Sequence, residues 1–266
     1  MSKEKKKLVV IIPMPGILLL DIAGPCDVFI MADRALDENP GAGEGGYELL
    51  LASRVDTKKI VTKSGIAIDC EVMVSEIKRP IDTLIVAGFS RVQLKSGHPF
   101  FHWLKRIYPT VRRIASICVG TYALAEAGIL DGKQATTHWE FSQDFQLRYP
   151  AVNVDTNPFY SRDSNVYTSG GVASGIDLAL ALVEEDYGRD VALHTARKLV
   201  LPLKRPGYQS QFSTLLQVHS LENSIAGKLH PWLVRHLGEQ LSVEQLAEHS
   251  HMSVRNFTRE IGRAHV

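Results

Sequence analysis

Short, largely apolar runs alternate along this chain with longer stretches where apolar residues recur every three or four positions. Leu8–Ile12, Ile81–Ala87 and the segment from Ile114 to Val119, led in by Arg112 and Arg113, are such runs. A strand apolar on both sides is buried on both sides, which is the habit of parallel sheets. Tyr47–Ala52 reads as a further strand and Ile66–Cys70 as a short alternating one. Between them the pattern predicts a helix over Leu19–Leu36, interrupted near Gly24-Pro25, and an amphipathic helix over Phe100–Tyr108 closed by Pro109. An alanine- and leucine-rich helix is expected to follow Gly120 and end at Gly128. Ala135–Trp139 reads as a strand leading into a helix over Glu140–Tyr149, and 153–168 carries strand-like pieces. Apolar helices are predicted for Val172–Tyr187 and Val191–Leu201. Strands alternating with helices predict an α/β protein with a flavodoxin-like, doubly wound parallel sheet.

The pattern changes after Pro202. The stretch 208–227 is polar, with repeated Gln and Ser, and reads as a linker joining an α/β domain (8–207) to a small all-α segment (228–259). Leu229, Trp232, Leu233 and Leu237 recur at helical spacing. Ser242 and Gln245 form a capping-box signature ahead of a helix over Val243–Glu248. A turn at His249–His251 follows, and Ser253 is placed to cap a third helix, Val254–Arg259. Two short helices joined by such a turn, with the small Ala247 at their crossing, read as a helix-turn-helix with Leu246, Met252 and Phe257 in its core. Ser253, Arg255, Asn256 and Arg259 would then face outward as donors to phosphates and base edges.

Composition adds little except locally. The net charge is +1, yet the span 197–259 holds eight Lys/Arg against four Glu, a basic tilt compatible with nucleic acid. Cys26, Cys70 and Cys118 lack the paired spacing of a zinc site or disulfide framework, so no metal and no cofactor is expected. The run Leu8–Leu20 is broken by Pro13, Pro15 and Gly16 and has no small-residue cleavage pattern, so it is not read as a signal peptide. No stretch is long enough to span a bilayer, and a cytoplasmic location without membrane contact is expected.

The chemistry concentrates at Cys118. A thiol where a strand turns sharply into a helix sits on the rim of the sheet, in the manner of a nucleophile elbow. There the helix N-terminus is expected to lower its pKa. Asp21 and His138, each expected on the same rim, are the candidate catalytic partners, and Gly88 and Val119 complete the expected ligand pocket. Trp139 is read as core, and the turn Ser169-Gly170-Gly171 as a geometric device able to receive an anion.

Several of these motifs carry a resemblance. Leu20-Asp21-Ile22-Ala23-Gly24-Pro25, the Cys118 elbow, Ala127–Gly132, Ala135–Trp139 and Ser169–Asp177 resemble the ThiJ/PfpI-like domain, related to class I glutamine amidotransferases. Residues 241–259 resemble the first helix-turn-helix of an AraC-type DNA-binding domain, and the pairing is that of the GlxA-like subfamily of AraC regulators. The resemblance implies a homodimeric transcriptional regulator. Its α/β domain would sense a small metabolite, of a nitrogenous kind, and its C-terminal domain would bind an operator. It also implies an alternative, because isonitrile hydratases of the superfamily use an Asp and a Cys at the positions of Asp21 and Cys118. Against that alternative stand Val119, where a hydratase-like elbow carries Thr and a PfpI-type peptidase His, and Gly88-Phe89 in place of a glycine pair. Cys118 is therefore read first as the floor of a sensing site and second as a nucleophile. AraC-type domains carry two helix-turn-helix units, and this chain stops within the first. Residues 260–266 are read as a non-native tail, since Ile261–Val266 is what a widely used short-read sequencing adapter encodes and Glu260 a hybrid codon. A native reading frame that stops after Val266 would overturn this expectation.

Overall fold

The structure, a computed structural model, describes residues 6–38, 41, 45–54, 57–88, 97–205, 209, 229, 232–236, 238–239 and 241–263. The chain divides into two compact units, Met1–Gln209 and Ser210–Val266.

In the first unit the apolar runs become the parallel strands of the sheet. They are β1 (Lys7–Pro13), β2 (Tyr47–Ser53), β5 (Val72–Met73), β6 (Thr83–Gly88), β7 (Arg113–Cys118) and β11 (Val166–Ser169). A small hairpin, β3 (Lys59–Val61) with β4 (Ala67–Asp69), lies outside it. The seven-stranded sheet runs β10-β11-β7-β6-β1-β2-β5, and β10 (Tyr160–Asp163) is its antiparallel edge. Read along β2-β1-β6-β7-β11 this is the 2-1-3-4-5 order of flavodoxin-like sheets. The chain winds outward from β1 to β2, then restarts at β6 on the other side of β1. The carboxyl ends of β1, β6 and β7 therefore face a topological switch point, where a crevice opens outside the sheet.

Alternation along each strand feeds two cores. Val9 and Ile11 of β1, with Ile85 and Ile117, pack under α1 (Leu20–Glu38) and α5 (Ala173–Lys198). Leu8, Val10 and Ile12, with Leu84 and Ile114, pack under α2 (Pro99–Ile107), α3 (Thr121–Glu126) and α4 (Ser142–Arg148). Both faces are covered, which is why these strands carry no polar alternation.

Three expectations need correction. The interruption expected at Gly24-Pro25 is absent, because α1 is continuous with Pro25 inside it. Gly24 packs so closely on α5 that a Cβ there would lie 2.6 Å from Ile176 Cγ1, so helix-helix contact overrides the local breaker signal. The strand expected over Ala135–Trp139 is only β8 (Gln134–Ala135), paired with β9 (Asn153–Val154). Thr136 and Thr137 bond inward instead of extending the ladder: Thr137 Oγ1 donates to Cys118 O at 3.1 Å, and the main-chain carbonyl of Thr136 lies 3.2 Å from Thr121 Oγ1. Trp139, expected in the core, opens a 3-10 turn and is 39% exposed. The two helices expected from Val172 onward are two arms of α5, broken at Gly188 where φ is 85° and ψ 170°.

In the second unit α6 (Val243–His249) opens with the reciprocal capping box, Ser242 Oγ accepting from Gln245 N–H and Gln245 Oε1 accepting from Ser242 N–H. Ser253 Oγ accepts from Asn256 N–H at the start of α7 (Val254–Arg263), whose helical backbone runs four residues past the Arg259 expected to end it. Leu229, Ala247 and Phe257 are its buried residues, with Trp232, Leu233, Leu246 and Met252 packed on them. Trp232 stacks between His236 and His249, at 4.4 and 4.6 Å between ring centres. The expected linker, except Gln209, and Phe89 lie outside the described residues.

Candidate functional site

Strand β7 ends at Cys118, whose φ of 58° places a non-glycine residue in the left-handed region at a cost of about 1–3 kcal/mol. The turn survives because its neighbours leave no alternative. Val119 N–H donates to Gly88 O at 3.0 Å, which ties the elbow to the end of β6. Gly120 follows where a Cβ would collide with the carbonyl oxygen of Val86 and come within 3.0 Å of Ile117 O. Two hydroxyls serve the carbonyl of Cys118, Thr121 Oγ1 at 3.0 Å and Thr137 Oγ1 at 3.1 Å. Thr121 Oγ1 also lies 2.8 Å from Ser116 Oγ and 3.2 Å from Thr136 O. It has one proton, so it donates to one carbonyl at a time and can accept from Ser116.

A second strained turn closes on the first from β11. Gly171, with φ of 82°, stands where a Cβ would overlap Cys118 Cβ and lie 2.8 Å from its Sγ. Val172 follows at φ 50°, ψ −116°, outside the comfortable range of a β-branched residue. Its N–H donates to Asp21 Oδ1 at 2.7 Å, a contact across 151 residues that ties the start of α1 to the start of α5.

The electrostatics overturn the expected thiolate. Cys118 is fully buried, and burial, with the Asp21 carboxyl beside it, pushes its pKa well above that of a free thiol. The Val119 N–H opposes this and is outweighed by the lost hydration. Asp21 is likewise 0% exposed. Burial raises its pKa to about 7, against the lowering effect of the Val172 N–H, and among the described residues its Oδ2 has no hydrogen-bond partner. Among the described residues no hydrogen bond joins Asp21 to the thiol. His138 is half-buried, and burial lowers its pKa. Its Nδ1 accepts from Glu140 N–H at 3.4 Å, and its ring lies 5.6 Å from that of Phe141. No described bond links it to Cys118 or Asp21. The structure thus brings Asp21, Gly88, Cys118 and Val119 into one contiguous site and gives His138 a capping task.

Thr121, Thr137, Gly171 and Val172 complete the site and were not singled out in the sequence beyond the Ser169–Gly171 turn. The threonines act through positions that only the folded chain brings together. Ser253, Arg255, Asn256 and Arg259 are all exposed in the second unit. Among the described residues, no group of three or more His, Cys, Asp or Glu could hold a metal ion, and no helix is long and apolar enough to cross a membrane.

The buried Asp21 yields a prediction. Its pKa in the folded state, about 7, lies above the unfolded value near 3.8, so the folded chain holds this proton more tightly. The contribution is fully present below about pH 4, falls as pH rises toward 7 and is then flat, amounting to roughly 3–4 kcal/mol. Asp21→Asn keeps an acceptor for Val172 N–H and removes the titration. Urea melts at pH 5 and pH 8 should show the wild type losing stability relative to this variant on going to pH 8. Equal changes in both proteins would rule out the buried, neutral carboxyl.

The order of the sheet, the thiol on its rim and the acid under the neighbouring helix define a doubly wound α/β protein of the cysteine-elbow class. The chain belongs to the DJ-1/PfpI family, whose pattern matches residues 6–185. It is 28% identical over 205 residues to the HTH-type transcriptional regulator CdhR of Pseudomonas aeruginosa, covering 77% of this chain and 60% of that one. It is 42% identical over 113 residues to an isonitrile hydratase of Pseudomonas putida, covering 42% of this chain and 48% of the enzyme. The crystal structure of an AraC family transcriptional regulator from Pseudomonas putida superposes with a TM-score of 0.62 at 19% identity, over 73% of this chain and 99% of that one, which establishes the shared fold. The chain spans 60% of CdhR and about half the length of other curated regulators it matches.

Proposed function

We propose that the chain is the sensing part, with the first helix-turn-helix, of a cytoplasmic, homodimeric transcriptional regulator. A small nitrogenous metabolite settles beside Cys118 and Asp21, and the AraC-type unit binds an operator. The observation that carries the reading is one chain holding both a DJ-1/PfpI unit whose thiol is buried and kept protonated, and a capped helix pair presenting Arg255, Asn256 and Arg259 to solvent. A nucleophile needs a thiolate, and this thiol is set up to stay neutral. The curated regulators matched over most of the α/β unit support the same reading. A ligand that changes the geometry of the sensing unit shifts operator affinity by its differential affinity for the two states, typically about 1–3 kcal/mol.

Arg255→Ala and Arg259→Ala test the DNA-binding half. Each should weaken operator binding in a gel shift and reduce the slope of log affinity against log salt by about one unit, as expected for a lost phosphate contact. Unchanged affinity and slope in both would remove α7 as the recognition helix.

A specific observation favours a second reading. Asp21, with a pKa of about 7 and an Oδ2 unpartnered among the described residues, is suited to give or take a proton near neutral pH, and the isonitrile hydratase is matched across part of this unit. Turnover of isonitriles that disappears in Cys118→Ala would favour this enzyme reading over the regulator.

A further inference from the structure

The α/β unit ends at Gln209, and this last residue is bonded into the wall of the Cys118 site. Gln209 is buried although it leads out of the unit. Its N–H donates to Asn157 O at 2.8 Å, and its Nε2 donates to Pro158 O at 2.6 Å and lies 3.2 Å from Thr136 Oγ1. The amide lies flat on Gly170, where a Cβ would come within 2.5 Å of Nε2 and closer still to Oε1. Gly170 has no left-handed φ of its own, so the Gln209 amide is the group that a side chain at position 170 would have to displace.

Both neighbours of this amide lead directly to the thiol. Gly170 precedes Gly171, which packs on Cys118 Cβ and Sγ. Thr136, touched by Nε2, gives its carbonyl to Thr121 Oγ1, the hydroxyl that also reaches Cys118 O. The main chain of Thr136 is fixed in turn by donating to Thr168 Oγ1 at 2.7 Å, beside Gly170 on β11. The amide occupies the space a Cβ on Gly170 would need, so the position of Gly170 and the seat of Gln209 depend on each other.

We propose that Gln209 is the positioning residue that couples the Cys118 site to the chain beyond the α/β unit. In this structure the amide is seated on Gly170. An occupant that displaces Gly170-Gly171 or Thr136 unseats it and frees the main chain at residue 209. The proposal rests on the reading of the site as a sensor, and it specifies where the signal leaves. Any such coupling is reciprocal, so unseating Gln209 must loosen the wall around the thiol.

The test uses the whole chain and methyl methanethiosulfonate as the occupant. The reagent forms a disulfide between Cys118 Sγ and its methylthio group and releases methanesulfinate, the thiol proton going to solvent. In the wild type, hydrogen exchange at the Gln209 amide should accelerate about tenfold once Cys118 carries the adduct, the effect of losing one modest hydrogen bond. In the other direction, Gln209→Ala, Gly170→Ala and Gln209→Met, which keeps volume but loses the amide, should each speed labelling of Cys118 about tenfold. Labelling of buried Cys70 should stay unchanged, a distinction that general loosening of the fold would erase. Should Gly170→Ala fail to fold, the two Gln209 variants carry the test alone. Cys118 and Cys70 accelerating together, or neither changing while the adduct leaves Gln209 exchange untouched, overturns the proposal. A metabolite that binds and stabilises the wild type without altering exchange at Gln209 also overturns it and leaves the sensor reading standing.

Discussion

Asp186→Ala should destabilise the α/β unit by roughly 3–5 kcal/mol, the cost of leaving a buried charge without its partner. The charge is Arg113, whose side chain is almost fully buried at the start of β7. Its Nη2 and Nη1 reach Asp186 Oδ2 and Oδ1 at 2.5 and 3.1 Å, and its Nε donates to Thr83 Oγ1 at 2.8 Å. Asp186 also accepts from Arg112 at 2.7 Å and from Tyr47 OH at 2.8 Å, so its loss strands Arg113 and the Tyr47 hydroxyl, while Arg112 keeps Asp82. Glu185, 3.8 Å from Arg113, is a poor substitute because it already receives Arg162 and Tyr167. A lower urea midpoint at unchanged slope is the expected readout. The double variant Arg113→Met with Asp186→Leu should lose less than Asp186→Ala, since it removes the stranded charge together with its partner. A loss under about 1 kcal/mol in Asp186→Ala would mean that water reaches the guanidinium and the pair is a surface feature.

The second large effect is expected at Gly171. Gly171→Ala meets two penalties at once, a φ of 82° and a Cβ driven into Cys118, 2.6 Å from its Cα. Strain and overpacking together should cost about 3 kcal/mol or more. Gly65→Ala separates the two terms. Gly65 has nearly the same φ, 84°, with nothing within 4 Å of the added carbon, so that variant should lose only about 1 kcal/mol. Thermal unfolding of the pair checks this, and equal losses would show that backbone conformation alone, and not closure over the thiol, fixes the glycine.

The strands were legible because burial on both faces leaves an unambiguous trace in sequence: Leu8–Ile12 and Ile81–Ala87 carry no polar residue beyond Asp82 and Thr83, which sit at the strand's entry. The capped pair of short helices near the C-terminus was legible because its signals are local, the Ser242–Gln245 box above all. What failed depended on distant partners. Gly24-Pro25 looks like a break until Ile176 of α5 is laid against it. Trp139 looks like core until Thr136 and Thr137 turn inward and end the strand before it. The location of the Cys118 elbow could be read from a buried run followed by Gly120, but not its electrostatics. A thiol at a helix start invites the expectation of a low pKa. The opposing effects are burial, with Gly171 packed on the thiol, and the carboxyl of Asp21, and neither residue is near Cys118 in the chain. The strained φ of Cys118 and Val172 left no sign at all, since neither is a glycine.

Strand β7 holds the ion-pair lattice at Arg113 and the thiol at Cys118, six residues from end to end, or roughly 17–20 Å. At that separation the two ends share no partner, and substitutions at one are expected to add to substitutions at the other without interaction. The strand therefore divides two kinds of restraint. Its entry is held by the buried ion pairs, and its exit by the close packing of Gly120 and Gly171 around the thiol. In an architecture partitioned in this way, a change at the thiol end leaves the ion pairs of the far end undisturbed.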